Sequence, residues 1–234
     1  MFSESAAWYD RFYDGKDYAG EARRVSELVR RHRPETRTLL DVACGTGRHL
    51  EHLRREFDCE GLDLDGGLLA AARRRLPGMR LTQADMAGFD LGCRFDAVTC
   101  LFSSVGYLGT VERLRMAVAA MAGHLEPGGV LVVEPWILPE AWIEGGTTTV
   151  DVVEDGDRKL VRVIASGRRG AISVLRMHYA VAGGGEVVTA DERHELRLYS
   201  HDEYAAAFLA AGLDTGWDPE GLTGRGLLVG VAPG

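Results

Sequence analysis

Residues Leu39–Leu50 read LLDVACGTGRHL. The apolar run that ends at Val42 contains an acid, Asp41, and is followed by Ala43, Cys44 and two glycines spaced G-x-G, Gly45 and Gly47. The run has the length of a buried strand, and helical spacing begins after Gly47. A strand that feeds a glycine turn and then a helix puts the turn at the strand's carboxyl end, where ligands bind in open α/β sheets. Glycine there permits positive φ and close approach of a ligand to bare backbone.

Working outward, residues 18–32 carry apolar positions near helical spacing and stop before Pro34. Strands are expected at Thr38–Val42, Cys59–Leu64, Arg80–Gln83, Phe95–Leu101 and Val130–Glu134. Helices are expected over Gly47–Phe57, Gly66–Arg75 and Val111–Leu125, with a turn at Pro127–Gly129. This alternation predicts an α/β fold with a doubly wound, mostly parallel sheet. From about Thr147 to Tyr199 the pattern changes to β-rich runs separated by EDGD, GRRG and AGGG, with no helical period between them. That predicts an antiparallel sheet inserted into the α/β core. Residues 1–146 and 200–234 form the core on this reading, and 147–199 the insert, a lid or dimer element. Ser200 then caps a helix that ends at Gly212, and a last strand lies in GLLVGVAP.

The chain has 234 residues, 46% apolar and 26% charged, with a formal net charge of −8. Such a balance suits one globular domain with an embellishment and argues against nucleic acid as the main partner, because phosphate backbones need a concentrated basic surface. The start MFSESAAWYDRFYDG lacks a basic segment followed by an apolar one, and no apolar stretch reaches about 18 residues, so neither a leader nor a membrane span is expected. The cysteines, Cys44, Cys59, Cys93 and Cys100, show no metal-ligating spacing. Cys59 and Cys100 read as small core residues, and a reducing cytoplasm is the simplest compartment.

The glycine loop separates two cofactor classes. Dinucleotide enzymes usually carry G-x-G-x-x-G, with a pyrophosphate on the helix N-terminus. Here the run is G-T-G-R-H-L, and Asp41 beside the loop would repel pyrophosphate but suits a cationic or hydroxylated ligand. The second strand reaches Asp63, placed to accept both ribose hydroxyls. Asp85 and Met86, in QADM, are placed to take an adenine amino group and pack on the ring. An adenosine without a diphosphate fits S-adenosylmethionine, its amino-acid part against Ala43, Cys44, Gly45, Thr46 and Gly47. A tight turn with a surface acid, or an NAD site, would share parts of this pattern.

Beyond the loop, FSSVGYL (102–108), VEPW (133–136), GRGL (224–227) and the early YD..Y..KDY resemble the bacterial TDP-amino-sugar N,N-dimethyltransferases of deoxysugar biosynthesis, over nearly the whole chain. The resemblance implies a class I methyltransferase core, S-adenosyl-L-methionine as donor, a TDP-linked amino deoxysugar as acceptor, two methyl additions and often a homodimer. By the same resemblance Tyr9, Tyr18, Ala43, Asp63, Leu64, Asp85, Met86, Leu101 and Phe102 belong to the cofactor site, Tyr107 stands beside the sugar amine, and Phe2 and Trp136 belong to the sugar site. Lys16, Arg168 and Arg225 are candidates for a diphosphate clamp, since arginine pairs bidentately with phosphate oxygens. Ile137 stands where relatives carry a second tryptophan, and the FYDGKDY loop is shorter than theirs. Tyr9 and Tyr18 also read as core packing, Tyr107 as a structural hydroxyl, and Arg168 and Arg169 as a charged turn. His124 reads as a helix-dipole partner, and His178 and His194 as surface residues of strands. An unperturbed tyrosine is a poor base near neutral pH, so orientation is the role expected of Tyr107. A small-molecule O-methyltransferase and a non-catalytic S-adenosylmethionine-binding module are the alternative functions.

Overall fold

The computed structural model describes residues 8–234. A single helical turn, α1 (Tyr9–Phe12), precedes α2 (Tyr18–His32), whose N-cap Asp17 accepts from the Gly20 N–H at 2.8 Å. The alternation expected from the sequence follows: β1 (Thr38–Val42), α3 (Arg48–Leu53), β2 (Asp58–Asp63), α4 (Gly66–Arg75), β3 (Leu81–Gln83), β4 (Phe95–Cys100), α5 (Val111–Gly123) and β5 (Leu125–Val133). Four strands come next, β6 (Thr148–Asp155), β7 (Arg158–Arg169), β8 (Ile172–Gly183) and β9 (Glu186–Arg197). The chain ends with α6 (His201–Ala210), β10 (Asp214–Asp218) and β11 (Leu227–Val231).

The first sheet has the order β10-β11-β5-β4-β1-β2-β3. Strands β1 to β5 pair in parallel, whereas β11 is antiparallel to β5 and β10 to β11. Strand β1 has β2 on one side and β4 on the other, so the strand order reverses beside the glycine loop. Both faces of the sheet are covered, which is why its strands read as continuous apolar runs. Leu40, Val98, Leu131 and Val133 pack with Leu114, Val118 and Phe208 on one face. Leu39, Ala97, Val130 and Val132 pack with Val25, Val29 and Leu50 on the other. Cys59 and Cys100 lie in these cores.

Three details differ from the sequence reading. Helix α3 stops at Leu53 and not at Phe57, its last residues continuing as hydrogen-bonded turns. Pro127–Gly129 is not a turn ahead of β5 but an irregularity inside it: the register against β4 slips between Phe95 and Ala97, and Gly128 takes a φ of 69°. Strand β10, DTGWD, was not expected; two acids and a glycine disguise a strand whose pairing with β11 is set by tertiary packing.

The second sheet is an antiparallel meander, β6-β7-β8-β9. Gly184 and Gly185, with φ of 60° and 84°, form the two-residue turn between β8 and β9, the geometry a right-twisted hairpin requires. The period of two puts Arg162, Tyr179 and His194 on the inner face and Val150, Val152 and Val187 on the outer one. The inner face meets the core where Leu196 packs on Gly106; a Cβ at Gly106 would lie 3.0 Å from Leu196 Cδ2 and 3.2 Å from Trp136 Cβ.

Candidate active site

The carboxyl ends of β1, β2 and β4 and the inner face of the second sheet enclose a cavity of about 680 Å³. Tyr9, Tyr18, Asp41, Ala43, Cys44, Gly45 and Thr46 line it, as do Asp63, Leu64, Asp85, Met86, Leu101 and Phe102. Tyr107, Lys16, Trp136 and Arg225 also belong to the lining. Phe2 lies outside the described residues.

Two expected residues are elsewhere. Gly47 caps α3 with φ 78°, and a Cβ there would sit 2.7 Å from Leu76 Cδ1. Its glycine therefore serves the turn and the packing of α3 on α4. Arg168 is not part of the lining: its Nε donates to Gly170 O at 2.7 Å, and its guanidinium is 3.9 Å from Glu144. The GRRG segment ends the hairpin of β7 and β8, which carries Arg168, opposite Ser173 on the inner face, past the end of the cavity.

At the glycine loop, Ala43 and Gly45 have φ of 59° and 57°, and a Cβ on Gly45 would touch nothing within 4 Å. The loop is held by Asp63, whose Oδ2 accepts from Gly45 N at 2.8 Å while Oδ1 accepts from Asp65 N at 2.8 Å. A carboxylate has about four lone-pair sites, so two backbone bonds leave capacity for ligand hydroxyls. Burial raises the Asp63 carboxyl above the ordinary range, and these backbone bonds oppose it. Asp41 is buried, accepts from Thr99 Oγ1 at 2.7 Å, and is pushed up to about 6 by burial. The Cys44 thiol is pushed well up by burial, which makes it unreactive. Asp85 is held low by the Ala87 N–H and then by Arg113, whose Nη2 is 2.7 Å from Oδ2.

The entry to the glycine loop is braced from α1. Thr46 Oγ1 donates to Asp10 Oδ1 at 2.6 Å, and Arg75 Nη2 to Asp10 Oδ2 at 2.6 Å. This positions Tyr9, whose ring meets Tyr13 at a tilt of 49°, and Tyr13 in turn meets Phe102 edge-on. Lys16 pairs with Glu21, and its ammonium lies 4.8 Å from the Phe102 ring centroid and 5.1 Å from that of Tyr18. Glu21 also meets His49 Nε2 at 2.7 Å; burial raises its carboxyl, but the His49 and Lys16 bonds outweigh that and hold it low. Lys16 thus carries a carboxylate of its own, which weakens it as half of a diphosphate clamp.

Arg225 is differently placed. Its guanidinium lies over the Trp136 ring, 4.8 Å from the centroid, and Nη1 donates to Ser103 Oγ at 2.9 Å. An arginine held over an aromatic ring is suited to planar, bidentate acceptors. The loop around it is tied down by a wholly buried acid, Glu134, which accepts from Phe102 N at 2.6 Å and Thr223 Oγ1 at 2.9 Å. Tyr107 Oη is 3.0 Å from His194 Nδ1, and His194 Nε2 is 3.1 Å from Glu192 Oε2. Burial raises the Tyr107 hydroxyl far above its ordinary value.

Sequence reasoning missed Glu134, Arg162, Glu192 and the true place of His194. His194 is 1% exposed, not a surface residue, because the period of two turns it to the covered face of β9. His178 does lie on the exposed face, beside Asp191. His124 caps α5, where its Nδ1 meets Ala120 O at 2.7 Å and its Nε2 accepts from Leu91 N at 3.0 Å; a ring that accepts there is neutral, so it serves as a hydrogen-bonded cap. Glu134 lies in the VEPW segment, but nothing in its spacing signals a buried carboxylate that ties two loops.

Residues 39–129 match a family model described as a methyltransferase domain. The chain is 50% identical over 227 residues to the dTDP-3-amino-3,4,6-trideoxy-alpha-D-glucopyranose N,N-dimethyltransferase of Streptomyces venezuelae, covering 95% of each. Among solved structures it resembles Streptomyces venezuelae DesVI, with a TM-score of 0.92 at 49% identity, covering 97% of each chain. It also resembles SAM-bound CalS10, an amino pentose methyltransferase from Micromonospora echinaspora, with a TM-score of 0.87 at 44% identity, covering 99% of this chain and 97% of that one. A glycine loop flanked by acids, in a cavity roofed by a second sheet, is thus joined to whole-chain likeness: the chain belongs to the dTDP-amino-sugar N,N-dimethyltransferases, a family of class I S-adenosyl-L-methionine-dependent methyltransferases.

Proposed function

We propose that this protein transfers methyl groups from S-adenosyl-L-methionine to the amine of a TDP-linked amino deoxysugar in natural-product biosynthesis, twice per sugar. The observation that carries the reading is a single cavity with two chemically distinct sets of lining groups. One set is the glycine loop with Asp41 and Asp63, and the other is Tyr107 with Arg225 over Trp136.

The residues present fit the cofactor. Bare backbone at Ala43 and Gly45 faces the cavity, and buried carboxylates stand where the ligand would present an ammonium and ribose hydroxyls. Asp41 would face the ammonium, Asp63 the ribose, Asp85 and Met86 the adenine, and Tyr9, Tyr18 and Leu101 would pack around them. When bound, the cofactor supplies an activated methyl that the amine takes in an in-line displacement. The protein's own contribution is approximation, which can supply ~7–11 kcal/mol when geometry is held. Arg225 would grip the diphosphate, remote from the reacting centre, and so fix the amine at Tyr107. Tyr107 stays neutral because burial opposes its ionisation, so it orients the amine and does not deprotonate it as tyrosinate.

The second sheet is proposed to be both roof and dimer element. Val150 and Val152 on its outer face are 59% and 61% exposed, which suits burial against a second copy. The thiols of Cys44, Cys59, Cys93 and Cys100 are free, in keeping with a reducing cytoplasm. Among the described residues no helix is long and apolar enough to cross a membrane.

Labelled S-adenosylmethionine tests the activity against TDP-aminosugars, TDP-sugars lacking the amine, and free phenols. Methylation of the first group alone, with a doubly methylated end product, is expected. Methylation of phenols would favour an O-methyltransferase, and binding without turnover on any acceptor a non-catalytic module.

A further inference from the structure

We propose that Tyr13, held by Arg162 on the inner face of the second sheet, donates its phenolic proton to a sugar hydroxyl on a carbon next to the reacting amine. The inference rests on the amine-methylating reading above, and it names a group of the acceptor that the cavity reads.

The argument begins with the guanidinium. Arg162 stands on β7 opposite Asp151 of β6 and is buried. Its Nε donates to Asp151 Oδ2 at 2.9 Å, and Nη2 lies 2.8 Å from the same oxygen. Its Nη1 donates to Tyr13 Oη at 3.1 Å, and the guanidinium carbon sits 4.7 Å from the Phe12 ring centroid and 4.9 Å from that of Tyr13. An arginine only donates and keeps its charge, so the Tyr13 oxygen accepts in this bond whatever the pH of the assay. A phenol has one proton, and the bond to Arg162 does not use it. Among the described residues no side chain or carbonyl takes that proton. The backbone of Tyr13 is fixed on both sides, its N–H donating to Asp10 O and its carbonyl accepting from Lys16 N, each at 3.1 Å. Tyr13 and Arg162 both line the cavity, so the phenol offers a donor there and a ligand supplies the acceptor.

The chemistry of the reaction selects that acceptor. A donor aimed at the nitrogen would bind the lone pair that must attack the methyl group. An oxygen beside the nitrogen satisfies the phenol and leaves the lone pair free. Burial and then Tyr13 raise the Tyr107 hydroxyl, which places the two phenols in the same part of the cavity. Tyr107 orients the amine on the reading above, so the oxygen that Tyr13 meets belongs to a carbon flanking the amine. A hydroxyl accepts there, whereas a deoxy carbon leaves the phenol unpaired, and a site built around such a bond discriminates against the analogue that lacks it. Tyr13 is therefore a specificity-determining residue, and Arg162 acts through it as a positioning residue.

The test pairs a protein change with a substrate change. Wild-type enzyme, Tyr13→Phe and Arg162→Met are compared on a TDP-aminosugar that the wild-type enzyme methylates and on its analogues lacking, one at a time, the hydroxyls that flank the amine. In the wild type, loss of one of these hydroxyls is expected to lower kcat/KM about tenfold, the worth of one hydrogen bond. Tyr13→Phe is expected to cause the same loss on the hydroxylated sugar and none on that deoxy analogue, the non-additivity of two partners in one contact. Arg162→Met is expected to weaken the preference as well. Calorimetry with S-adenosylmethionine should give the parent affinity for each variant, which establishes that the site is folded. Tyr13→Phe removes one oxygen and no packing, so it carries the test by itself if Arg162→Met is unstable. A hydroxyl preference that survives in Tyr13→Phe, an equal loss on every sugar, or a loss in cofactor affinity instead would each overturn the inference while leaving the methyltransferase reading intact. A wild-type enzyme inactive on every TDP-aminosugar would overturn that reading instead.

Discussion

Arg225 Nη1 donates to Ser103 Oγ at 2.9 Å, joining two loops 122 residues apart in the chain. Ser103 has a φ of 64°, its own hydroxyl donates to Pro135 O at 2.8 Å, and the Arg225 guanidinium lies over the Trp136 ring. Three segments distant in sequence thereby meet around one guanidinium.

The arginine's role gives the first prediction. Arg225→Ala should raise KM for the TDP-aminosugar roughly 10- to 100-fold, the range for hydrogen bonds to a charged group, and leave cofactor affinity as it was. Arg225→Lys should recover little, because an ammonium neither stacks on Trp136 nor binds bidentately. Steady-state kinetics with the TDP-sugar and with the free aminosugar decides it. Normal kinetics in Arg225→Ala, with both sugars used equally, would remove the diphosphate from the reading.

Glu134 supports that arginine indirectly. Glu134→Ala leaves the Phe102 N–H and the Thr223 hydroxyl without their buried acceptor, at a cost of about 1–3 kcal/mol in stability. Thermal unfolding should show the loss. Because Thr223 sits two residues before Arg225, KM for the sugar should rise as well, more than cofactor affinity falls. A variant as stable as the parent would mean that water replaces the carboxylate freely.

For Asp63 the expectation is a loss of about 1–3 kcal/mol in S-adenosylmethionine affinity on substitution by alanine, read by calorimetry. Part of that loss should come from the loop itself, since Gly45 N donates to Asp63 Oδ2. Asp63→Asn should fall between the two, keeping one acceptor oxygen. Wild-type affinity in Asp63→Ala would place the ribose elsewhere.

Asp41 predicts a pH dependence. Its carboxyl is pushed up to about 6 from an ordinary 3.8, because burial disfavours the charge. The folded state therefore holds this proton more tightly than the unfolded chain. Its contribution to stability is greatest below 3.8 and is lost as pH rises through about 6, by up to roughly 3 kcal/mol. Asp41→Asn should abolish that decline, so the cofactor-free variant should melt higher than wild type at pH 8. A cationic ligand reverses the balance, and wild-type cofactor affinity should strengthen as pH rises through about 6, with no such step in the variant. Parallel melting-temperature profiles for the two proteins would show that Asp41 does not titrate there.

The sequence alone determined the order of strands and helices through β5, the glycine loop at the end of β1, the acids at Asp41, Asp63 and Asp85, and the change to an antiparallel insert. Each depends on spacing within one or two elements, where period and turn chemistry act locally. Tertiary structure decided the rest. It set Arg168 at a hairpin end beyond the cavity, gave Lys16 the carboxylate of Glu21, buried His194 behind Tyr107, and made Glu134 the tie between two loops. Partners such as Tyr107 and His194 are 87 positions apart, and Glu134 and Thr223 are 89 apart. No periodicity reaches that far. The first pair meets because the second sheet folds back over the first, the other because β11 returns beside β5, and burial favours partners for the polar groups enclosed there.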